Sequence, residues 1–157
     1  EDDTKELFEK YHSRVPFVKQ LMGLASKSAN DNGQVRTILG RICHFDLWEP
    51  TKWGVHKALP RDEAMRKYGS NLKRAFIYKA LNKLIQGSAA DQTKKAMIEV
   101  YKAGITPHIQ VHDELNCSCK NMDEVNEIKK IMENCIDLEV PSKVDPKIGK
   151  SWGTIKN

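Results

Sequence analysis

The sequence predicts an α+β fold in which long helices pack against an antiparallel sheet, with one β-hairpin carrying His112-Asp113-Glu114. Three observations carry this. Apolar residues recur at helical spacing in several long stretches, and short β-branched runs bounded by turn residues separate them. Their order along the chain is helix, hairpin, helix, hairpin, helix, strand. The 157 residues, 39% hydrophobic and 30% charged, suit a soluble unit with a core rather than a disordered segment. No apolar run approaches the ~20 residues of a membrane-spanning helix, and no secretory signal opens the chain. The first residue is Glu1 rather than Met, which predicts a start set by processing, by deliberate truncation or by an incomplete reading frame.

Residues 4–31 read as helix broken at Pro16. Leu7, Phe8 and Tyr11 share one face, continued by Phe17, Val18, Leu21, Met22, Leu24 and Ala25. Ser13 is placed to cap the helix that restarts at Pro16, and Asn30-Asp31-Asn32-Gly33 stops it. Val35–Leu39 and Ile42–Phe45 flank Gly40-Arg41 and predict a hairpin. Residues 46–60 show no clear period and predict an irregular loop anchored by Trp48 and Trp53. From Arg61 to Lys102 the pattern is helical, with a break at Tyr68-Gly69-Ser70. In its second half Leu81, Ile85, Ala89, Thr93, Ala96, Met97 and Val100 form one apolar stripe, and Tyr78, Asn82 and Gln86 line an adjacent face. Gly104 ends that helix, and Ile105–Lys120 supplies the two strands around His112-Asp113-Glu114. Met122–Cys135 returns to helix with Asn121 or Asp123 as cap, and Leu138–Ile148 alternates like an edge strand limited by Pro141 and Pro146. With no repeat and no flexible linker, residues 1–157 read as one unit.

Adjacent carboxylates in a strand-forming run are costly unless they are solvated, paired or bound to metal. Asp113 and Glu114 therefore suggest oxygen ligands for a hard cation such as Mg²⁺, against the simpler reading of a solvated turn. Cys117 and Cys119, near His108 and His112, permit a zinc site. Their spacing is not that of a zinc knuckle, and reduced thiols are the simpler account of all four cysteines. The net charge is +5, unevenly placed: residues 61–102 hold ten Lys/Arg against four acids, whereas residues 103–157 hold nine acids against seven bases. A basic segment beside an acidic one suits a polyanion held next to a metal site, and equally a solvated helix face. Gly87-Ser88-Ala89-Ala90, in mid-helix, would admit close approach of another backbone or of a nucleic-acid strand. Asn82 and Gln86 can donate and accept as minor-groove contacts require. A tightly packed core helix explains the same residues.

The helix Tyr78…Asn82…Gln86-Gly-Ser-Ala-Ala-Asp91, followed about twenty residues later by Val111-His-Asp-Glu-Leu115, resembles the carboxy-terminal portion of family A DNA polymerases, the bacterial DNA polymerase I type and its phage relatives. The resemblance extends through Tyr11…Pro16-Phe-Val18, Thr37-Ile-Leu-Gly-Arg41 and Gly149-Lys-Ser-Trp152, and is weakest over residues 46–70. It implies a palm-type sheet, with residues 1–70 leading from fingers to palm and residues 71–157 forming the distal palm. It further implies template-directed, Mg²⁺-dependent nucleotidyl transfer on primer–template DNA with deoxynucleoside triphosphates, in a bacterial or phage-infected cytoplasm. Asp113 would bind the two catalytic Mg²⁺ ions, which align the primer 3′-hydroxyl with the α-phosphate. Glu114 would support that metal site and His112 would touch the primer terminus. Asn82 and Gln86 would follow the minor groove, and Arg41 with the basic helix would neutralise phosphates.

Two departures accompany the resemblance. Four residues before Asn82, where many relatives carry a basic DNA contact, this chain has Tyr78, with Arg74 and Lys79 nearby. The family's second catalytic aspartate and its nucleotide-gripping Lys and Tyr match no position here; Glu1-Asp2-Asp3 stands in the wrong context for that strand. The expectation is a polymerase fragment that is inactive without the amino-terminal part. Its rivals are a non-catalytic nucleic-acid-binding module and a metal-dependent hydrolase using Asp113, Glu114 and His112.

Overall fold

Pro16 and Gly33 delimit the second of two consecutive helices, α1 (Asp2–Arg14) and α2 (Pro16–Asn32). The computed structural model describes residues 2–155, so Glu1, on which the reading of the chain's start rests, lies outside the described residues. Pro16 occupies the first helical turn, where a missing N–H costs nothing, and Gly33 closes the helix in the left-handed region at φ 69°. The expected Ser13 cap does not form: Val15 is the N-cap without a side-chain bond, and the Ser13 hydroxyl donates back to the Lys10 carbonyl at 2.9 Å. A hydroxyl inside a helix finds its own i−3 carbonyl more readily than the next helix's amides.

Strands β1 (Gln34–Arg36) and β2 (Ile42–His44) pair antiparallel, with Val35 opposite Cys43. The hairpin is shorter and its turn wider than expected, because residues 37–41 close on themselves: Thr37 N donates to the Arg41 carbonyl and Gly40 N to the Thr37 carbonyl. The segment read as an irregular loop is instead partly strand. β3 (Leu47–Pro50) is the middle of a three-stranded antiparallel sheet between β4 (Leu59–Pro60) and β5 (Leu72–Arg74). Helix α3 (Arg61–Tyr68) lies between β4 and β5 in sequence, with Asp62 and Glu63 in its first turn and Arg66 and Lys67 in its last, each sign opposing its helix-end dipole. The break at Tyr68-Gly69-Ser70 is real, but β5 and a 3₁₀ turn (Ile77–Lys79) intervene before α4 (Ala80–Lys102).

Two structural units divide inside α4, at Gly87/Ser88. The first has a core of Ala25, Ala29, Val35, Phe45 and Ala80, with Cys43, Ile77, Leu81 and Leu84 packed against it. In the second, Ala96, Val100, Ile105 and Ile136 are buried. Its elements after α4 are the hairpin β6 (Pro107–Val111) and β7 (Glu114–Cys117), then α5 (Met122–Asn134). Asn121 caps α5 as expected, its Oδ1 accepting from Glu124 N at 3.0 Å.

Two further expectations are corrected. Residues 138–148 form no strand; their backbone is tied instead to side chains, Val144 N donating to Glu133 Oε1 at 3.0 Å, and the neighbouring Ser142 hydroxyl accepts from Gln92 Nε2 at 3.0 Å. Alternation alone makes no strand when no neighbour offers a ladder. The apolar stripe of α4 is also incomplete, since Thr93, Ala96 and Val100 are buried whereas Ile85 and Ala89 are exposed. The antiparallel α+β class holds, but among the described residues as three small sheets, not one. Among the described residues no helix is long and apolar enough to cross a membrane.

Candidate nucleic-acid and metal site

Six of the nine predicted site residues belong to the first unit. Asn82 and Gln86 are exposed one turn apart on α4, so their amides are available to a ligand along that face. Tyr78, 76% exposed, projects from the 3₁₀ turn, and the Lys79 ammonium lies 5.6 Å from its ring and 4.8 Å from that of Phe76. This pairs an aromatic face with a cation at the start of α4.

Arg41 and Arg74 are already engaged in holding the fold. Arg41 Nη2 donates to the Gly87 carbonyl at 2.7 Å, which brings the β1–β2 turn onto α4. A Cβ on Gly87 would lie 2.6 Å from Thr37 Cγ2, so the close approach expected at this glycine is made by the protein's own hairpin. Arg74 donates to the carbonyls of Asn30 and Phe45, both at 2.9 Å, and stacks 4.7 Å from the Trp48 ring centre. Its guanidinium also fills the space where Gly33 has no Cβ. Arg61 sits 5.6 Å from the same indole, so Trp48 meets two guanidinium groups. The sequence carries no local signal of this cluster; the pairing of Trp48 with Arg74 across β3 and β5 creates it.

His112, Asp113 and Glu114 belong to the second unit and are all exposed. Val111 pairs with Glu114, which leaves His112-Asp113 as the two-residue connection and puts Glu114 at the first position of β7. His112 takes φ 53°, the positive value that a tight hairpin demands at its first turn residue and that usually selects glycine. Holding a histidine there costs on the order of 1–3 kcal/mol. The Gln110 side-chain amide donates to the His112 carbonyl and braces the turn. A shift in register at His108, between Pro107 and Ile109, adds a bulge on the way to it. The two carboxylates stand in solvent at the head of the hairpin, the position that the solvated-turn reading expects.

Two adjacent exposed carboxylates offer hard oxygen donors of the kind Mg²⁺ takes. Among the described residues no group of three or more His, Cys, Asp or Glu gathers to hold a metal ion. Cys117 and Cys119 are part of no such group either. Desolvation, reinforced by the neighbouring Cys119, pushes the Cys117 thiol up, and desolvation with Glu124 does the same to Cys119.

Comparison with known proteins shows the family of the chain. The family model described as DNA polymerase family A matches residues 1–154, and the chain belongs to that family. Among individual relatives, it is 40% identical over 147 residues to the DNA-directed DNA polymerase of Pseudomonas phage M6, covering 94% of this chain and 19% of that protein. It is 35% identical over 161 residues to DNA polymerase I of Caldicellulosiruptor bescii, covering 96% and 17%. A solved structure of the POL domain of Pol1 from M. smegmatis, in complex with DNA primer-template and dNTP, superposes with a TM-score of 0.72 at 29% identity, covering 98% of this chain and 26% of that one. The chain therefore spans about a fifth of the length of the curated relatives it matches.

Proposed function

We propose that this chain is the carboxy-terminal, palm-forming part of a template-directed DNA polymerase that acts in DNA replication in a bacterial or phage-infected cytoplasm. Residues 1–70 lead from fingers to palm and residues 71–157 form the distal palm. The observation that carries the reading is family membership across residues 1–154, in a chain whose His112, Asp113 and Glu114 stand exposed at one hairpin head. Asp113 and Glu114 contribute carboxylate oxygens to Mg²⁺ binding, with further ligands coming from the amino-terminal part of the polymerase. The chemistry that such ions supply is charge stabilisation at the transferring phosphoryl group. His112, in the hairpin turn, touches the primer terminus. Asn82 and Gln86 hydrogen-bond to base edges in the minor groove, while Tyr78 and Lys79, on the preceding 3₁₀ turn, reach toward the DNA backbone. Deoxynucleoside triphosphates and primer–template are the substrates of the complete polymerase.

Primer–template binding by the chain alone tests the DNA face. Anisotropy with a labelled primer–template should show salt-sensitive binding. Asn82→Ala and Gln86→Ala should each weaken it by about fivefold, the order expected for one lost hydrogen bond. The chain alone should leave the primer unextended in Mg²⁺ and nucleotides, because its ligand set is partial; extension by the isolated chain would contradict this account, as would binding indifferent to both amides.

A further inference from the structure

We infer that the loop spanning residues 51–58 is a second nucleic-acid contact, in which Trp53 stacks on a base of an unpaired DNA strand while Lys52 and Lys57 meet its phosphates. This rests on the polymerase reading and extends it to a segment where the sequence resemblance is weakest. Trp53 is 97% exposed and Val55 fully so. Full exposure of an indole sacrifices one of the largest apolar burials a side chain can make, and exposed aromatics of this kind mark contact surfaces.

The loop is fixed at its base. Thr51 N donates to the Asn71 carbonyl at 3.1 Å, next to β5. At the other shoulder the Tyr68 hydroxyl donates to the Lys57 carbonyl at 3.2 Å, and the His56 ring packs edge-on against Tyr68 with 5.7 Å between centres. His56 thus turns inward as an anchor, while Lys52, Trp53, Val55 and Lys57 face solvent. A pinned loop that presents an indole outward loses little conformational freedom on binding.

Charge selects the partner. From Thr51 to Pro60 there is no acidic residue, while Lys52 and Lys57 flank the indole and Arg61 follows. Aromatic side chains interleaved with cations bind single strands: every base offers a π-face, and the ammonium groups track the phosphodiester chain. In a duplex those faces are covered by neighbouring bases, so the loop commits to an unpaired strand, such as a template overhang.

The test is titration of the 157-residue chain with oligothymidylate, followed by tryptophan emission and by anisotropy of a labelled strand. Trp53→Ala is expected to remove most of the emission change and to weaken binding about five- to tenfold, and Trp53→Phe to retain most of the affinity. Lys52→Ala with Lys57→Ala should make the slope of log affinity against log salt shallower by roughly 1.4, two phosphate contacts on a single strand. Affinity for a blunt duplex should not change with Trp53→Ala. Equal binding of oligothymidylate by Trp53→Ala and the parent chain overturns the inference, and so does an equal loss on single strand and duplex. If the parent binds primer–template through Asn82 and Gln86 while Trp53→Ala is silent, the loop assignment alone fails. If the parent binds neither DNA form, the loop assignment and the DNA face fail together.

Discussion

Arg74 shows how a residue marked by its charge can serve the fold first. Its guanidinium bonds two carbonyls and lies on Trp48, which ties the group to the fold even though other N–H donors remain. Arg74→Ala should therefore destabilise the first unit by about 2–3 kcal/mol, the order for charge-assisted bonds lost from a part-buried site. Arg74→Lys should recover only part of this, because an ammonium cannot reproduce the planar fork. Thermal melting together with DNA affinity separates the roles: a loss of affinity with unchanged melting would make Arg74 a DNA contact after all. The contrast with Asp113 and Glu114 is instructive. Their chemistry was legible in the sequence because hard oxygen donors side by side are recognisable without knowing their surroundings. A solvated turn was one of two readings open there, and register chooses between strand and turn, which Val111 opposite Glu114 decides.

At the scale of elements, Gly87 is the informative case. Alanine there would gain about 1 kcal/mol of helix propensity, yet its Cβ would meet Thr37 Cγ2 at 2.6 Å. Gly87→Ala is expected to cost about 1–3 kcal/mol as an overpacked contact. Thr37→Ser removes that methyl while keeping the hydroxyl that accepts from Arg41 N at 3.1 Å. In the Thr37→Ser background Gly87→Ala should become neutral or stabilising, as chemical denaturation of the four variants would reveal; additive effects would show that the contact is not what makes glycine necessary. Helix limits such as Pro16, Gly33 and Asn121 could be read from sequence because local geometry and capping set them. Strands β3 and β4 could not, since Trp48 finds its partners at Leu59 and Arg74, far along the chain. The opposite error, a strand over residues 138–148, has the same root: alternation describes a surface suited to pairing but names no partner.

Taken whole, residues 61–102 hold ten Lys/Arg against four acids, whereas residues 103–157, Asp113 and Glu114 among them, hold nine acids against seven bases. A basic run of that kind suits a polyanion partner. The order of motifs exposed the family, and its model matches residues 1–154. Among the described residues no group of three or more His, Cys, Asp or Glu gathers, so a metal-binding role for the hairpin carboxylates remains a proposal to be tested. The central claim is that Asp113 is a metal-binding carboxylate of a polymerase and not merely a solvated turn residue. The most direct measurement is Mg²⁺-dependent primer extension by the polymerase that contains this chain, comparing the parent with Asp113→Asn. The account predicts at least about a hundredfold loss of rate, the order seen when one preorganised electrostatic group is removed, with primer–template affinity retained. Extension at the parental rate by Asp113→Asn would contradict it and leave the hairpin head an ordinary turn.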